Sequence, residues 1–418
     1  MKILQVHKYY TRERGGGAVS VLFEVEKLLR KYGNKTMNFA MHDELNEKTE
    51  YKKFFAKHYD IREAHSLWAK IKLVPKVIYN RDAIKKLDEL LTYEKPNVAH
   101  VYDIYHYLTP GILRVFKKHG VPIVFELTDY HVICPDYHLF AHGKVDNSCK
   151  GGRYYKLFTN KIIGDSWGES FIGMVEGYVN KWFGFYDNVD VFLAPSQFMK
   201  DKCVEYGISA EKIVVLRNVL NFDDYRQIGN KKKEFLFMGR ISEEKGLKLA
   251  IDAMKKIKKS NELNGWKFVI AGKGPQENEI KEYVCDNDVS DVVEFTGFYP
   301  KDSGEWMELM SRSSVGVLPS IWYDNAPVAI SESLVFKSPV IVSDLGGTKE
   351  IIEDGKSGFV FESYNSDNLV KYMKIFIQNP ELIKKMGENA KKRVDLFNNE
   401  DVYYKGLMKI YDIAMNKK

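Results

Sequence analysis

Runs of strand type that are apolar almost throughout recur in both halves of this chain, at residues 97–101, 121–126, 189–194, 234–239, 266–271 and 292–296. Strands buried on both faces read this way, and they pair in parallel sheets covered by helices. Helical stretches separate the runs, so the chain reads as strand and helix in alternation, a doubly wound α/β architecture. Ligands of such sheets gather outside the carboxyl ends of the strands, so the residues that follow each run are the candidates for chemistry. At 418 residues the chain exceeds what one core supports, and two domains are expected. A polar linker, residues 218–233, ends in Lys231, Lys232 and Lys233 and separates a first domain, residues 1–217, from a second, residues 234–400.

Residues 319–358 hold a strand end, a loop, a buried helix and another strand in one unit. Pro327 suits a first helical position, with Asn325 as a cap just before it. Apolar Val328, Ala329, Ile330, Leu334, Val335 and Phe336 surround Glu332, whose ionised carboxylate is costly there unless something hydrogen-bonds it. Asp324 lies eight residues earlier on the loop. The two acids either face one cleft, where sugar hydroxyls are natural donors, or are an exposed Glu and a turn Asp.

Upstream, the run at 234–239 ends in Gly239 and continues as Arg240, Ile241, Ser242, Glu243, Glu244, Lys245 and Gly246. Ser242 reads as the N-cap of the next helix, which puts Lys245 at its third position, beside the positive end of the dipole. A cation is disfavoured there unless an anion is bound, so with Arg240 and free backbone N–H groups the turn suits a diphosphate. Otherwise Lys245 is solvated beside Glu243 and Glu244.

Together these stretches resemble the retaining nucleotide-sugar glycosyltransferases of family 4. The resemblance rests on Gly239-Arg240 with Lys245-Gly246, Pro319-Ser320, Asp324 with Glu332, Pro339-Val340-Ile341, and Gly346-Gly347 with Glu350. Asp324 departs from the usual Glu, and Lys337 stands where glycine is usual. The resemblance implies a GT-B fold, two Rossmann-like domains facing a cleft, with the last helix, in residues 401–418, crossing back to the first domain. It implies that Arg240 and Lys245 hold the donor diphosphate, Glu332 the ribose, and Asp324 the donor sugar. Arg240, Lys245 and Asp324 are then the catalytic candidates. Donor binding would also involve Asn325, Ala326, Pro327, Val328, Gly239, Gly272, Gly274 and Phe298, and from the first domain Gly16 and Gly17.

In chain order, residues 2–6 form a first strand, followed by Gly15-Gly16-Gly17 and a helix from about Ala18 to Lys31. Such a loop either admits a phosphate or sugar to its backbone or is a flexible turn. Residues 35–41 read as a strand, and residues 44–93 as mainly helical with a break at Pro75. Thr128, Asp129 and His131 follow the strand at 121–126 and are the acceptor-side candidates. This segment resembles a family stretch whose usual active-site His is replaced here by Thr128, and His131 is near enough to be considered as a substitute. Residues 153–186 are aromatic and basic, either a membrane-facing surface or helices covering the first domain, and the covering role is favoured. Pro275 reads as a helix start, and residues 366–397 and 401–416 as amphipathic helices.

A net charge of +6 is mild, permitting attraction to anionic lipid without calling for nucleic acid. Cys134, Cys149, Cys203 and Cys285 include no CxxC pair and no metal-ligand spacing, which fits a reducing cytoplasm, at the membrane's cytoplasmic face if lipid is met. Asp286-Asn287-Asp288 spells DxD but falls between helix and strand, as a solvated loop. The expected activity is metal-independent and cofactor-free: a sugar passes from a nucleotide diphosphate sugar to a glycan or lipid-linked acceptor hydroxyl, with retention, in polysaccharide synthesis. The rivals are a non-catalytic subunit that binds nucleotide or sugar for a partner enzyme, and a nucleotide-sugar epimerase or phosphorylase on the same fold.

Overall fold

The computed structural model describes residues 1–13, 16–59, 67–218, 220, 222, 225–301 and 303–417, and the chain divides into two compact units. The first comprises Met1–His142, Asp146–Leu220 and Asn399–Lys418, and the second Gly143–Val145 and Asn221–Asn398.

The first unit is built on six strands: β1 (Lys2–Val6), β2 (Lys35–Phe39), β3 (Val98–Val101), β4 (Ile123–Glu126), β5 (Val191–Ala194) and β6 (Ile213–Val215). They lie in the order β2-β1-β3-β4-β5-β6, every pair parallel. β3, β4 and β5 are buried at every position, as their uninterrupted apolar character requires. The order reverses between β1 and β3, which opens a crevice at their carboxyl ends. The C-terminal helix, Glu400–Asn416, packs in this unit, where Tyr411 Oη lies 2.9 Å from His100 Nδ1 and His100 Nε2 lies 3.0 Å from Glu126.

Several local expectations are corrected. Pro75 does not break the chain but lies inside the Leu67–Ile78 helix; the break comes at Asn80, whose side chain caps the Arg81–Tyr93 helix by accepting from the N–H of Asp82 and Ala83. Residues 44–59 carry only a single short helical turn, Lys52–Phe54. Gly16 and Gly17 form the first turn of the Gly16–Lys31 helix rather than a loop, and Gly15 lies outside the described residues. Cys134 and Cys149 form a disulfide that their spacing gave no reason to expect.

The aromatic segment is the largest surprise. Its long helix, Trp167–Phe183, buries Ser170, Gly173, Glu176, Gly177 and Asn180, while Trp167, Phe171, Trp182 and Phe183 are 51, 49, 77 and 53% exposed. The helix packs with its small and polar face against neighbouring segments of the first unit, the Tyr155–Thr159 helix and the Phe185–Asn188 turn among them. Gly177 leaves room for the ring of Tyr154, so neighbouring side chains, not the helix's own aromatics, fill that interface.

The second unit repeats the plan: β7 (Lys232–Met238), β8 (Lys267–Ala271), β9 (Val293–Gly297), β10 (Ser313–Leu318), β11 (Val340–Ser343) and β12 (Gly358–Phe361), in the order β9-β8-β7-β10-β11-β12, all parallel. Phe235, Phe237, Phe268, Ile270 and Val315 pack with Met254 and Phe376 from covering helices in its main core. Here the order reverses between β7 and β10. The C-terminal amphipathic stretch is two helices, Ser366–Gln378 and Pro380–Phe397, separated at Asn379.

Candidate active site

In the second unit the turns after β7 and β10 meet at the point where the strand order reverses. Lys245 Nζ donates to Asp324 Oδ2 at 2.6 Å, and Ser320 Oγ donates to the same oxygen at 3.1 Å. Asp324 is buried, and Lys245 is partly so, with its ammonium 5.1 Å from the centre of the Trp322 ring. The backbone ties the two turns together, since the N–H of Ile321 donates to Glu244 O, and a third turn, after β11, joins them through the N–H of Gly347, which donates to Asp324 O. Gly346 holds a φ of +74°, and a Cβ there would run into the Asp324 carbonyl, so only glycine fits beneath this aspartate.

The local route to this pair differs from the sequence reading. Ser242 precedes only a one-turn 3-10 segment, Glu243–Lys245, and its hydroxyl bonds Glu244 Oε1 at 2.5 Å instead of capping a backbone N–H. The α-helix proper starts at Leu247, after left-handed Gly246. Lys245 is therefore the third residue of this 3-10 turn rather than of the α-helix that follows, and the anion it faces is Asp324. The later helix begins at Val328, one residue beyond expectation, with Pro327 at the flanking position and buried Asn325 two residues before it.

The remaining donor candidates lie on neighbouring strand ends. Gly239 N–H donates to Ala271 O, Gly272 N–H to Gly297 O and Ile241 N–H to Lys273 O, which ties the turns after β7, β8 and β9 into one surface. Gly272, at φ +144°, lies so close to the Gly239 carbonyl that a side chain would collide with it. Gly274 stands against the backbone of Ile241, and Pro275 lies two residues before the Glu277–Asp286 helix rather than at its start. Arg240 and Phe298 are exposed, while Asn325 is buried and Ala326 half-buried. Glu332 is buried, its Oε1 3.4 Å from Lys301 Nζ. Asp286 ends a helix, and Asp288 is fully exposed, as expected of a solvated loop.

The first unit has its own charged pair at the corresponding reversal. Lys8 Nζ, after β1, lies 3.7 Å from Asp103, after β3, and His7 Nε2 lies 3.8 Å from the same carboxylate. Thr128 Oγ1 donates to Asp103, and Tyr105 Oη donates to Asp129. Asp103, Tyr105, Thr128, Asp129 and His131 line a small pocket. Burial, reinforced by the Asp103 charge, pushes the Asp129 carboxyl up to about 7. Burial acts on Asp103 in the same direction, but Lys8, His7 and the Thr128 hydroxyl outweigh it and hold Asp103 below the usual carboxylate range. His131 is buried, with Nδ1 3.1 Å from Tyr186 Oη and Nε2 3.0 Å from Glu176, so both ring nitrogens face side chains of the unit's interior. Lys8, Asp103, Tyr105 and Glu176 escaped the sequence reading. Strand ends at the reversal were the only signal that could have found the first two, and nothing local marks the others.

Two parallel six-stranded sheets of this order, each with candidate residues at its reversal, define a GT-B architecture of two Rossmann-like domains. Sucrose-phosphate synthase from Thermosynechococcus elongatus superposes over 100% of both chains with a TM-score of 0.75 at 13% identity. Anabaena Alr3699/HepE, solved with UDP-glucose, does so over 98% of both at 0.66 and 15%, and at these identities the likeness is one of fold. Residues 221–393 match the family model for glycosyl transferases group 1, and with the fold this match supports a group 1 glycosyltransferase. Alpha-D-kanosaminyltransferase of Streptomyces kanamyceticus is 30% identical over 156 residues, 37% of this chain and 39% of the relative. The amylovoran biosynthesis glycosyltransferase AmsK of Erwinia amylovora is 25% identical over 232 residues, 53% of this chain and 56% of the relative. The chain thus spans about half the length, or less, of these two relatives.

Proposed function

We propose that this protein is a retaining glycosyltransferase that moves a sugar from a nucleotide diphosphate sugar to an acceptor hydroxyl. The observation that carries the reading is the Lys245–Asp324 pair beside the tied turns of Gly239 and Gly272. It offers a cation to a diphosphate and a carboxylate to sugar hydroxyls within one bond length of each other. In the reaction the bond from the anomeric carbon to the phosphate oxygen breaks, and a bond from the acceptor oxygen forms on the same face. The acceptor proton passes to the departing phosphate, so no protein nucleophile is needed. Negative charge grows on the leaving diphosphate, where Arg240, Lys245 and the N–H groups of the Val328–Val335 helix stabilise it. Glu332 receives the ribose hydroxyls. Thr128 and Asp129 belong to the acceptor side.

A glycan or lipid-linked acceptor, and work at the cytoplasmic face of a membrane, belong to the same proposal. Exposed Trp167, Phe171, Trp182 and Phe183, with Lys156, Lys161 and Lys181 nearby in sequence, have the composition of an interfacial surface. Among the described residues no helix is long and apolar enough to cross a bilayer, so contact would be peripheral. A polysaccharide product is suggested by relatives such as the amylovoran enzyme. Thr128 in place of the usual His favours one rival, a non-catalytic partner subunit, which would bind donor yet neither transfer nor hydrolyse sugar.

The test is a thermal-shift panel of UDP-, GDP- and ADP-sugars on the wild type, Arg240→Ala and Glu332→Ala, followed by turnover with the stabilising donor. Stabilisation by one nucleotide series, weakened in both variants and accompanied by sugar release, supports the enzyme. Stabilisation without turnover favours the subunit, and no shift with any donor refutes the donor site.

A further inference from the structure

Glu176 is fully buried, and the groups gathered at its carboxylate are two imidazoles. His106 Nε2 lies 3.1 Å from Oε2, and His131 Nε2 lies 3.0 Å from Oε1. The second contact is not a hydrogen bond: His131 Nε2 and Glu176 Oε1 are buried, out of line with each other, and have no other hydrogen-bond partner. A carboxylate oxygen and an imidazole nitrogen that converge without sharing a proton are arranged like two ligands of a third centre. All three ligand atoms lie within 4.8 Å of one another. Ligands of a tetrahedral zinc ion sit roughly 3.4 Å apart, from bonds of about 2.0–2.1 Å, so the atoms would need to draw together by at most about 1.4 Å to hold an ion.

The surroundings suit ligation. His131 Nδ1 is 3.1 Å from Tyr186 Oη, a partner that fixes the ring with Nε2 free for a metal. The His131 ring stacks on Tyr105 at 4.2 Å, and the His106 ring stands perpendicular to it. The His106 carbonyl accepts from Tyr59 Oη at 2.8 Å, which anchors the loop that carries it.

We infer that His106, His131 and Glu176 form a site for one borderline divalent transition-metal ion, of the zinc class, with a fourth position left to water. Two imidazoles and one carboxylate select zinc or cobalt over magnesium and calcium, which take oxygen ligands. The ion joins the loop after β3, the loop after β4 and the Trp167–Phe183 helix, and the first two of these segments line the pocket holding Asp129. It lies in the first unit, whereas the proposed donor residues lie in the second, and it takes no part in leaving-group stabilisation.

The experiment strips the full-length protein with chelator, loads it with Zn²⁺ or Co²⁺ alone, dialyses it and counts retained metal by mass spectrometry. The wild type is expected to retain one ion per chain, to show Co²⁺ visible bands of low-coordinate geometry, and to gain about 5 °C in unfolding midpoint at hundredfold excess over Kd. His106→Ala removes a partner of the buried Glu176 carboxylate and should lower the metal-free midpoint, so each variant is compared with its own metal-free form at a temperature where it is folded; there it should bind at least tenfold more weakly, as should Glu176→Gln. The exposed control His142→Ala should bind like the wild type. Failure of the wild type to retain metal overturns the site whether or not any variant folds. So does equal retention by wild type and His106→Ala, or a loss in His142→Ala matching that in His106→Ala.

Discussion

The Lys245–Asp324 pair is asymmetric, and the asymmetry fixes what its removal should cost. Lys245→Ala leaves a buried carboxylate with the Ser320 hydroxyl as its remaining side-chain donor among the bonds described above. Removing one partner of a buried pair costs about 3–5 kcal/mol, and the 19% exposure of the Lys245 side chain reduces this to about 2–3 kcal/mol. Asp324→Asn keeps the shape and removes the charge. The ammonium then leans toward solvent and the Trp322 face, at a cost of about 1 kcal/mol. The double variant should fall short of the sum by about 1 kcal/mol or more, because the two side chains share one interaction. Urea unfolding followed by circular dichroism, with midpoint and slope fitted for all four proteins, reads these values. An Asp324→Asn cost equal to or above that of Lys245→Ala, or strict additivity, would refute the claim that the aspartate is the buried, dependent partner.

Further outcomes follow from single features. Because the folded Asp129 carboxyl is raised from 3.8 to about 7, its contribution to stability is fully present below pH 4 and lost as pH rises through 7; a pH series of melting midpoints should show the wild type falling relative to Asp129→Asn across that window. Lys337 occupies the position where family members carry glycine and has a φ of +56°, so Lys337→Gly should stabilise by roughly 1 kcal/mol in the same urea assay, and destabilisation would mean its pair with Glu388 outweighs the strain. Gly346→Ala forces a Cβ against the Asp324 carbonyl and should cost about 2–4 kcal/mol while abolishing donor-induced thermal shifts; an unchanged midpoint would count against the tight seat described for Asp324. If the aromatic helix face meets lipid, Trp182→Ala should reduce flotation with anionic liposomes, and wild-type indifference to liposomes would remove the membrane from the proposal.

Both sheets were legible because a strand buried on two faces leaves an uninterrupted apolar signature, and the runs at 97–101, 121–126 and 266–271 needed no tertiary knowledge. Helix starts were less so: Ser242 has the chemistry of a cap, but its hydroxyl finds Glu244, a choice made by the 3-10 turn. The Lys245–Asp324 bond joins residues 79 positions apart, and only the strand order brings their turns together. The same holds for His106 and Glu176, 70 residues apart. The Trp167–Phe183 helix misled because hydrophobicity alone sends aromatics inward; here glycines and Ser170 make a flat face that packs more closely than rings would.

Each sheet thus carries a lysine after its first strand and an aspartate after the strand across the reversal, in contact. A lone ammonium projects a potential that falls with the first power of distance and draws any phosphate in solution. Closed onto a carboxylate at 2.6 Å, Lys245 presents a dipole, and along its axis at about 10 Å the potential is roughly a quarter of the unpaired value. Ambient anions are then scarcely drawn in from a distance. Selection is deferred to contact, where a molecule gains most by offering negative oxygen to one end of the dipole and hydroxyl hydrogens to the other.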